Sequence, residues 1–268
     1  MLPSSTFLST DGDGYEAQMG RWSRQLAPLL IDFAGMTGAR RVLDVGCGTG
    51  SLTFEIARRL RSGAITGIDL SPAYIGHASR RNENPCVTFE VGDACALRFE
   101  DASFDYVFSS LVLQFIPDAD RTVREMRRVT RPGGTIAAAT WDTRGGVVIQ
   151  RMFFDTAAVL DPNASVRRAT ACTRPMSRPD GLRKAWSDAG LVDVAQDSLT
   201  IRMEYESFAD FWSSIDGNDG PYAEYLRTLA ANAKLTLRSL IEAAYLDGEQ
   251  DGPRSYAATA WAVKGRVP

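Results

Sequence analysis

The stretch Val42-Leu43-Asp44-Val45-Gly46-Cys47-Gly48-Thr49-Gly50 constrains this chain more than any other. A short apolar run reads as a buried strand, and it passes directly into a glycine turn and then a helix from Ser51 to about Arg61. Glycines at the alternate positions 46, 48 and 50 let the backbone come close to a ligand, because no Cβ stands in the way. Asp44 places a carboxylate at the end of the strand, just before the turn. A glycine cradle with an acid beside it suits a nucleotide-like ligand that carries positive charge.

The pattern around this stretch sets the fold class. Strand Arg41–Val45 is followed by a helix, strand Ala64–Asp69 by helix Pro72–Arg81, and strand Cys86–Val91 by a turn. Ser71 is placed to cap the second of these helices, with Pro72 at its first position. Strand Phe104–Ser109 precedes helix Asp120–Val129, which Arg131-Pro132-Gly133-Gly134 stops, and Thr135–Trp141 is the next strand. Strands alternating with helices imply an α/β fold with a doubly wound, mostly parallel sheet and right-handed crossovers. A helix is expected over Tyr15–Phe33, because Trp22, Leu26, Leu29, Leu30 and Phe33 recur at helical spacing. Residues 1–14 are polar and glycine-rich, and read as a flexible lead-in. In the second half, helices are expected near 147–160 and 179–189, the latter ended by Gly190. Strands are expected at Leu191–Tyr205 and Tyr256–Lys264. Helices Phe208–Ile215, Tyr222–Ala231 and Leu235–Leu246 fall between them, so two late strands would form an antiparallel edge with a helical insertion. The expected organisation is one domain over 1–268, with a helical cap (1–39), a ligand-binding core (40–142) and a variable remainder (143–268) carrying a lid at about 206–246.

Bulk properties exclude several classes. Of 268 residues, 44% are hydrophobic and 24% charged, as in an ordinary soluble domain. A net charge of −3 favours neither nucleic acid nor an anionic membrane as a partner. No apolar run approaches the roughly 18 residues that span a bilayer, and the first residues lack the pattern of a signal peptide. The cysteines Cys47, Cys86, Cys95 and Cys172 are scattered, with no metal-site spacing. A cytoplasmic protein is the resulting expectation.

In an open α/β sheet, ligands bind beyond the carboxyl ends of the strands. Those ends carry Asp44 and its glycines, Asp69, Gly92-Asp93-Ala94, Ser109-Ser110 and Trp141-Asp142. Asp69 lies 19 residues past Gly50, near the spacing of a carboxylate that grips ribose hydroxyls. The glycine spacing is G-x-G-x-G, one residue shorter than the dinucleotide fingerprint, which disfavours a nicotinamide dehydrogenase. The absence of Gly-Lys-Ser/Thr excludes a P-loop.

These motifs together resemble the class I S-adenosylmethionine-dependent methyltransferases, in particular the small-molecule branch that includes the ubiquinone/menaquinone-biosynthesis type. VLDVGCGTG (42–50) is similar to their first motif, GIDLS (67–71) to the second strand and VGDA (91–94) to the adenine turn. FDYVFSSLVLQFIPD (104–118) is similar to the fourth strand with its loop, and RPGG (131–134) to the turn before strand five. The resemblance is specific over about 40–142, looser over YEAQMGRW (15–22), and architectural beyond 143. It implies a seven-stranded Rossmann-like sheet and S-adenosylmethionine as methyl donor, with S-adenosylhomocysteine as product.

The resemblance also implies roles. Gly46, Cys47, Gly48 and Gly50 would pass the methionine moiety and ribose, and Asp44 would hold the amino group. Asp69 would take the ribose hydroxyls, Leu70 would pack on adenine, and Asp93 with Ala94 would read its amino edge. Ser109 and Leu111 would lie near the sulfonium, and Tyr15 and Arg21 would help to close over the cofactor. No magnesium site is expected, since only Asp142 stands where catechol-type enzymes place their carboxylates. The Pro-Pro-aromatic and Pro-Cys motifs of nucleic-acid methylating enzymes are missing after strand four. The only histidine, His77, falls in the helix after strand two and reads as a surface residue. Tyr15, Tyr205, Tyr222 and Asp142 are candidates to assist proton transfer. Tyr15, Gln114, Trp141, Trp212 and Tyr222 are the candidates to line a partly apolar pocket for a small organic acceptor. The alternative is a cofactor-binding sensor or scaffold without transferase activity.

Overall fold

Val42, Leu43 and Val45 of strand β1 (Arg41–Val45) are fully buried, and β1 is hydrogen-bonded on both edges. It is the centre of a seven-stranded sheet in a computed structural model that describes residues 4–7, 11–60, 62–217 and 220–268. On one side lie β2 (Ala64–Asp69) and β3 (Val87–Val91), both parallel to β1. On the other lie β4 (Phe104–Ser110) and β5 (Thr130–Trp141), again parallel. Beyond β5 come two antiparallel strands, β7 (Arg254–Arg266) and then β6 (Val192–Tyr205) at the edge. The order β3-β2-β1-β4-β5-β7-β6 reverses between β1 and β4. That reversal opens a crevice at the carboxyl ends of these two strands. The expected parallel sheet with an antiparallel edge and a helical insertion is therefore the observed architecture.

Helices cover both faces. Alternate strand residues point to opposite sides, so Val42 and Phe108 enter one apolar layer and Leu43 and Val107 the other. The first layer receives α2 (Arg21–Ala34), α3 (Ser51–Arg59) and α6 (Val148–Leu160). The second receives α5 (Ala119–Val129) and α8 (Gly181–Asp188), whose Trp186 is fully buried and donates its indole N–H to Ile136 O at 3.2 Å. A buried indole with its N–H paired contributes packing without an unsatisfied donor. Helix α4 (Pro72–Arg81) begins at Ser71, whose hydroxyl accepts from the Tyr74 N–H, as its Ser-Pro start predicts.

The insertion between β6 and β7 contains α9 (Phe208–Ile215), α10 (Gly220–Leu226) and α11 (Ala231–Leu246). It packs through aromatic rings: Tyr205, Phe211, Tyr245 and Tyr256 meet at centroid distances of 5.0–6.3 Å. Tyr222 meets Phe153 and Phe154 of α6 at 5.0 and 5.8 Å.

Four local expectations need correction. Residues 11–14 are not a loose lead-in, because Asp11 caps a short helix, α1 (Gly12–Tyr15), by accepting from the Asp13 N–H. That turn runs through a π-helical turn (Glu16–Gly20) into α2, so the predicted single helix carries an extra residue. A helix absent from the sequence reading, α7 (Pro162–Cys172), starts at an Asp161 cap followed by Pro162, a signal present in the sequence. Strand β5 starts at Thr130 rather than Thr135. The Arg131–Gly134 turn is absorbed as a bulge in which a Cβ on Gly134 would sit 2.8 Å from the Asp105 carbonyl. Arg61, the expected end of α3, and parts of the lead-in and of the lid (1–3, 8–10, 218–219) lie outside the described residues. Among the described residues no helix is long and apolar enough to cross a membrane.

Candidate active site

The turn after β1 builds the floor of the crevice. The N–H groups of Gly46 and Cys47 both donate to Ile68 O of β2 at 2.8 Å, which folds the loop back over the sheet end. Gly46 has φ +72°, and a Cβ there would lie 2.5 Å from a Val112 methyl. Only glycine fits both the backbone and the space. Gly48, also left-handed, donates its N–H to Asp69 Oδ2 at 2.9 Å, and Asp69 Oδ1 accepts from the Ser71 N–H at 2.9 Å. Burial raises the Asp69 pKa, and these backbone donors oppose the rise.

Asp44 is 1% exposed. One of its oxygens accepts from Thr53 Oγ1 of α3 at 2.6 Å, while the other is buried with no partner among the described residues. Burial pushes its pKa up to about 7, the nearby Asp69 charge adds to the rise, and the Thr53 hydrogen bond resists it. A buried carboxylate with an open acceptor calls for a cationic donor.

The walls come from three further strand ends and from the N-terminal region. Leu70 lies 46% exposed in the cleft, with Gly92, Asp93 and Ala94 beyond it. Asp93 accepts from Ser4 Oγ and from the Cys95 N–H, each at 2.8 Å. Tyr15 packs on Tyr74 with centroids 5.1 Å apart, and burial pushes its phenol up to about 12. Leu111 follows β4 with φ +63°, held by its N–H on Ala139 O at 2.8 Å. Gln114 Oε1 accepts the Trp141 N–H at 2.9 Å, which ties the loop after β4 to the end of β5. Trp141, Val147, Ile149, Gln150, Met203 and Tyr222 close the far end.

The structure thus brings to one cleft Tyr15, Asp44, Gly46, Cys47, Gly48, Asp69, Leu70, Asp93, Ala94, Leu111, Gln114, Trp141 and Tyr222. Four expected residues lie elsewhere. Arg21 turns away to pair with Asp210 of α9 at 3.1 Å, its guanidinium 4.3 Å from the Trp22 ring. Ser109 is fully buried inside β4, and alternation gives its pocket position to Ser110. Gly50 does not line the cleft: at φ +93° it caps α3, with the Phe54 ring filling the space a Cβ would take. Trp212 packs in the aromatic core against Phe208 instead of facing the pocket. Of the proton-transfer candidates, Tyr205 is buried against Trp22 and Asp142 is also outside the cleft. His77 is not a free surface residue, since it packs on Gly12, with Nδ1 3.2 Å from Asp13 Oδ1.

Several residues that hold or line the cleft escaped the sequence reading. Glu16, on the π-helical turn, accepts from Thr49 of the glycine loop and from Arg24, and lies 3.4 Å from Arg81. Burial works against its ionisation, but these donors hold its pKa below the usual carboxylate value. Gln18, Gln150 and Arg174 line the cleft itself. Their signals, isolated polar residues on helices and a loop, are indistinguishable in sequence from a solvated surface. Among the described residues, no three His, Cys, Asp or Glu side chains gather as a metal site would require.

Residues 42–134 match the family model of the methyltransferase domain. The chain is 38% identical over 225 residues to a malonyl-[acyl-carrier protein] O-methyltransferase of Erwinia pyrifoliae, covering 83% of this chain and 77% of that protein. Over a shorter stretch of 111 residues it is 34% identical to the ubiquinone/menaquinone biosynthesis C-methyltransferase of Bdellovibrio bacteriovorus, covering 40% of this chain and 46% of the other. The solved structure of Haemonchus contortus phosphoethanolamine N-methyltransferase 2 superposes with a TM-score of 0.61 at 19% identity. That superposition covers 96% of this chain and 57% of the larger one, so this chain spans little more than half of its length. With strand order, glycine turn and long-range identity in agreement, the chain belongs to the class I S-adenosylmethionine-dependent methyltransferases.

Proposed function

We propose that this methyltransferase moves the methyl group of S-adenosylmethionine to a small organic acceptor bound at the Gln114–Tyr222 end of the cleft. One observation carries the reading: a single cleft runs from three carboxylates, Asp44, Asp69 and Asp93, past the Gly46–Gly48 turn, to a mostly apolar chamber without a carboxylate among the described residues of its lining. The acidic end suits a ligand with an ammonium and a sulfonium. The open oxygen of Asp44 fits the amino group, the Asp69 carboxylate the ribose hydroxyls, and Asp93 an adenine amino group. Leu70 offers an apolar face for the base. Gly48, where a Cβ would meet only the Tyr15 ring at 3.9 Å, leaves its backbone open to the cleft for the close approach such a ligand needs, while Gly46 lets Val112 pack against the turn.

When bound, the donor supplies a methyl carbon on a sulfonium: the carbon–sulfur bond breaks as the acceptor–carbon bond forms, and the electron pair stays on sulfur. The chain's own contribution is to align and to exclude water. Leu111, Val112 and Trp141 pack around the transfer region, and the Gln114–Trp141 hydrogen bond fixes one wall. Tyr15, at about 12, and Tyr222, raised further by complete burial, both stay protonated at neutral pH. Neither is poised as a base, so the acceptor atom must be nucleophilic in its own right. Oxygen nucleophiles are the first to test, because the 38% identical relative is named an O-methyltransferase.

The test is incubation with methyl-labelled S-adenosylmethionine and a metabolite extract, read by mass spectrometry. Label in a small extract component is the expected outcome. Binding of S-adenosylhomocysteine with no labelled product across the extract would count against a small-molecule acceptor.

A further inference from the structure

Arg174 is the only cationic side chain that lines the cleft among the described residues. It sits between α7 and α8, partly buried, with its guanidinium 4.5 Å from the centre of the Phe115 ring. Most of the chain's partly buried arginines have a carboxylate: Arg21 has Asp210, Arg59 has Glu55, and Arg128 has Glu125. Arg174 has no ion pair and no hydrogen bond from its guanidinium among the described residues, and Glu224 reaches it only at longer range. Burial depresses its pKa, and Glu224 opposes the fall only from a distance. A guanidinium removed from water without a partner is costly, and an anion that completes it is correspondingly favoured.

The segment that carries Arg174 is held in place. Thr143 Oγ1 donates to Ala171 O at 3.0 Å, and Thr140 Oγ1 donates to Met176 O at 2.9 Å, so both flanks are pinned to β5 and the turn after it. Ser177 Oγ donates to Arg174 O itself at 2.7 Å. The ring of Phe115 supports the guanidinium plane. A pre-positioned fork loses little freedom when it binds a planar anion.

We infer that Arg174 anchors a carboxylate of the methyl acceptor, so that the acceptor is a small monocarboxylate with an apolar body. The inference rests on the methyltransferase reading and adds to it the substrate class. A single guanidinium matches one negative charge. A phosphate dianion would meet only this one cation in a cleft that already holds three carboxylates, whereas a carboxylate takes two parallel N–H bonds and is neutralised by them. The chamber beside it, with Val147, Ile149 and Met203 in its walls, suits an acyl or aryl body.

The test is calorimetric titration of the intact protein, with and without saturating S-adenosylhomocysteine. The probes are octanoate and 3-phenylpropanoate, their amides, and octylphosphonate. The expected result is that a carboxylate binds about ten-fold or more tightly than its amide, the increment of a charged hydrogen bond. Arg174→Met should erase that preference, and Arg174→Lys should retain part of it, while both keep S-adenosylhomocysteine affinity within about two-fold. That unchanged affinity also reports that the variants are folded. Equal binding of acid and amide, no binding of either, a preference that survives Arg174→Met, or tighter binding of the phosphonate would each overturn the assignment. Failure of S-adenosylhomocysteine to bind the unaltered protein would overturn the methyltransferase reading instead, and the cofactor-free titrations would still report on Arg174.

Discussion

Thr53 of α3 donates its hydroxyl hydrogen to one oxygen of Asp44 at 2.6 Å, and the other Asp44 oxygen is buried without a donor among the described residues. The pair holds a carboxylate in a place that disfavours its charge, at the end of the strand where a cationic ligand would arrive. Such half-satisfied groups cost stability in the free protein and are repaid on binding.

Asp44→Asn should therefore stabilise the ligand-free protein at pH 8. The folded pKa of Asp44, about 7, is above its unfolded value, so its stabilising contribution is complete below about pH 4 and is lost as pH rises through 7. At pH 8 the wild type buries a charge that the amide lacks, and the variant should gain about 2 kcal/mol. Below about pH 4 the unfolded chain is protonated as well as the folded one, and the difference should shrink towards zero. Urea denaturation of both proteins at pH 8 and in that acid range checks this. A variant less stable than wild type at pH 8 would contradict the burial argument.

The same titration predicts the pH dependence of cofactor affinity. If the ammonium of S-adenosylhomocysteine binds the ionised form of Asp44, binding expels a proton, and affinity rises as pH increases through 7. Between pH 6 and 8 the gain should be about ten-fold, levelling off above. Calorimetry in buffers of different ionisation enthalpy should show proton release near pH 6.5 in the wild type. In Asp44→Asn the affinity should be weaker and the slope flat.

Asp69 has two tasks, and two substitutions separate them. Its oxygens hold the N–H groups of Gly48 and Ser71, each at 2.9 Å, and it is the carboxylate proposed to grip the ribose. Asp69→Ala should weaken S-adenosylhomocysteine binding by at least about 100-fold, since a charge-assisted contact and the shape of the loop are lost together. Asp69→Asn keeps one backbone acceptor and should retain the fold. Isothermal titration with a melting curve on each variant distinguishes the two losses, and an unchanged affinity in Asp69→Ala would remove Asp69 from the ribose site.

The end of the cleft proposed to hold the cofactor was legible as a cluster because its residues are local. Asp44, Gly46 and Gly48 are consecutive or nearly so, and each later acid, Asp69 and Asp93, follows its own strand. One residue of context therefore places each of them. The end proposed for the acceptor is assembled from the loop after β4, the turn after β5, the segment at 174, the end of β6 and the start of α10. No spacing rule connects Gln114 to Gln150 or Arg174. Trp212 and Tyr222 show the limit directly: both are aromatic residues on the insertion, and only the packing of Tyr222 on Phe153 and Phe154 turns it to the cleft. Ser109 and Ser110 differ by one position on a strand, and the alternation of faces decided between them. Arg21, expected at the cofactor only through the resemblance of its segment, pairs with Asp210 of α9 instead, a partner 189 residues away that no local spacing reveals.

Gly46 and Val112 test the steric side of the site. Gly46→Ala forces an L-residue to φ +72° and drives a methyl to 2.5 Å from a Val112 methyl, inside any tolerable contact. The expected cost is about 2–4 kcal/mol, the backbone and overpacking penalties together. Val112→Ala alone should cost about 1–2 kcal/mol for the lost methyls, because Val112 is only partly buried. In the double variant the clash is relieved but the left-handed backbone is not. Its destabilisation should therefore be smaller than the sum of the singles by about 1 kcal/mol, yet larger than that of Val112→Ala. Chemical denaturation of the four proteins gives this cycle. Strict additivity would mean that the loop moves away from Val112 in solution, and the packing that fixes the glycine turn beside the cleft would lose its structural basis.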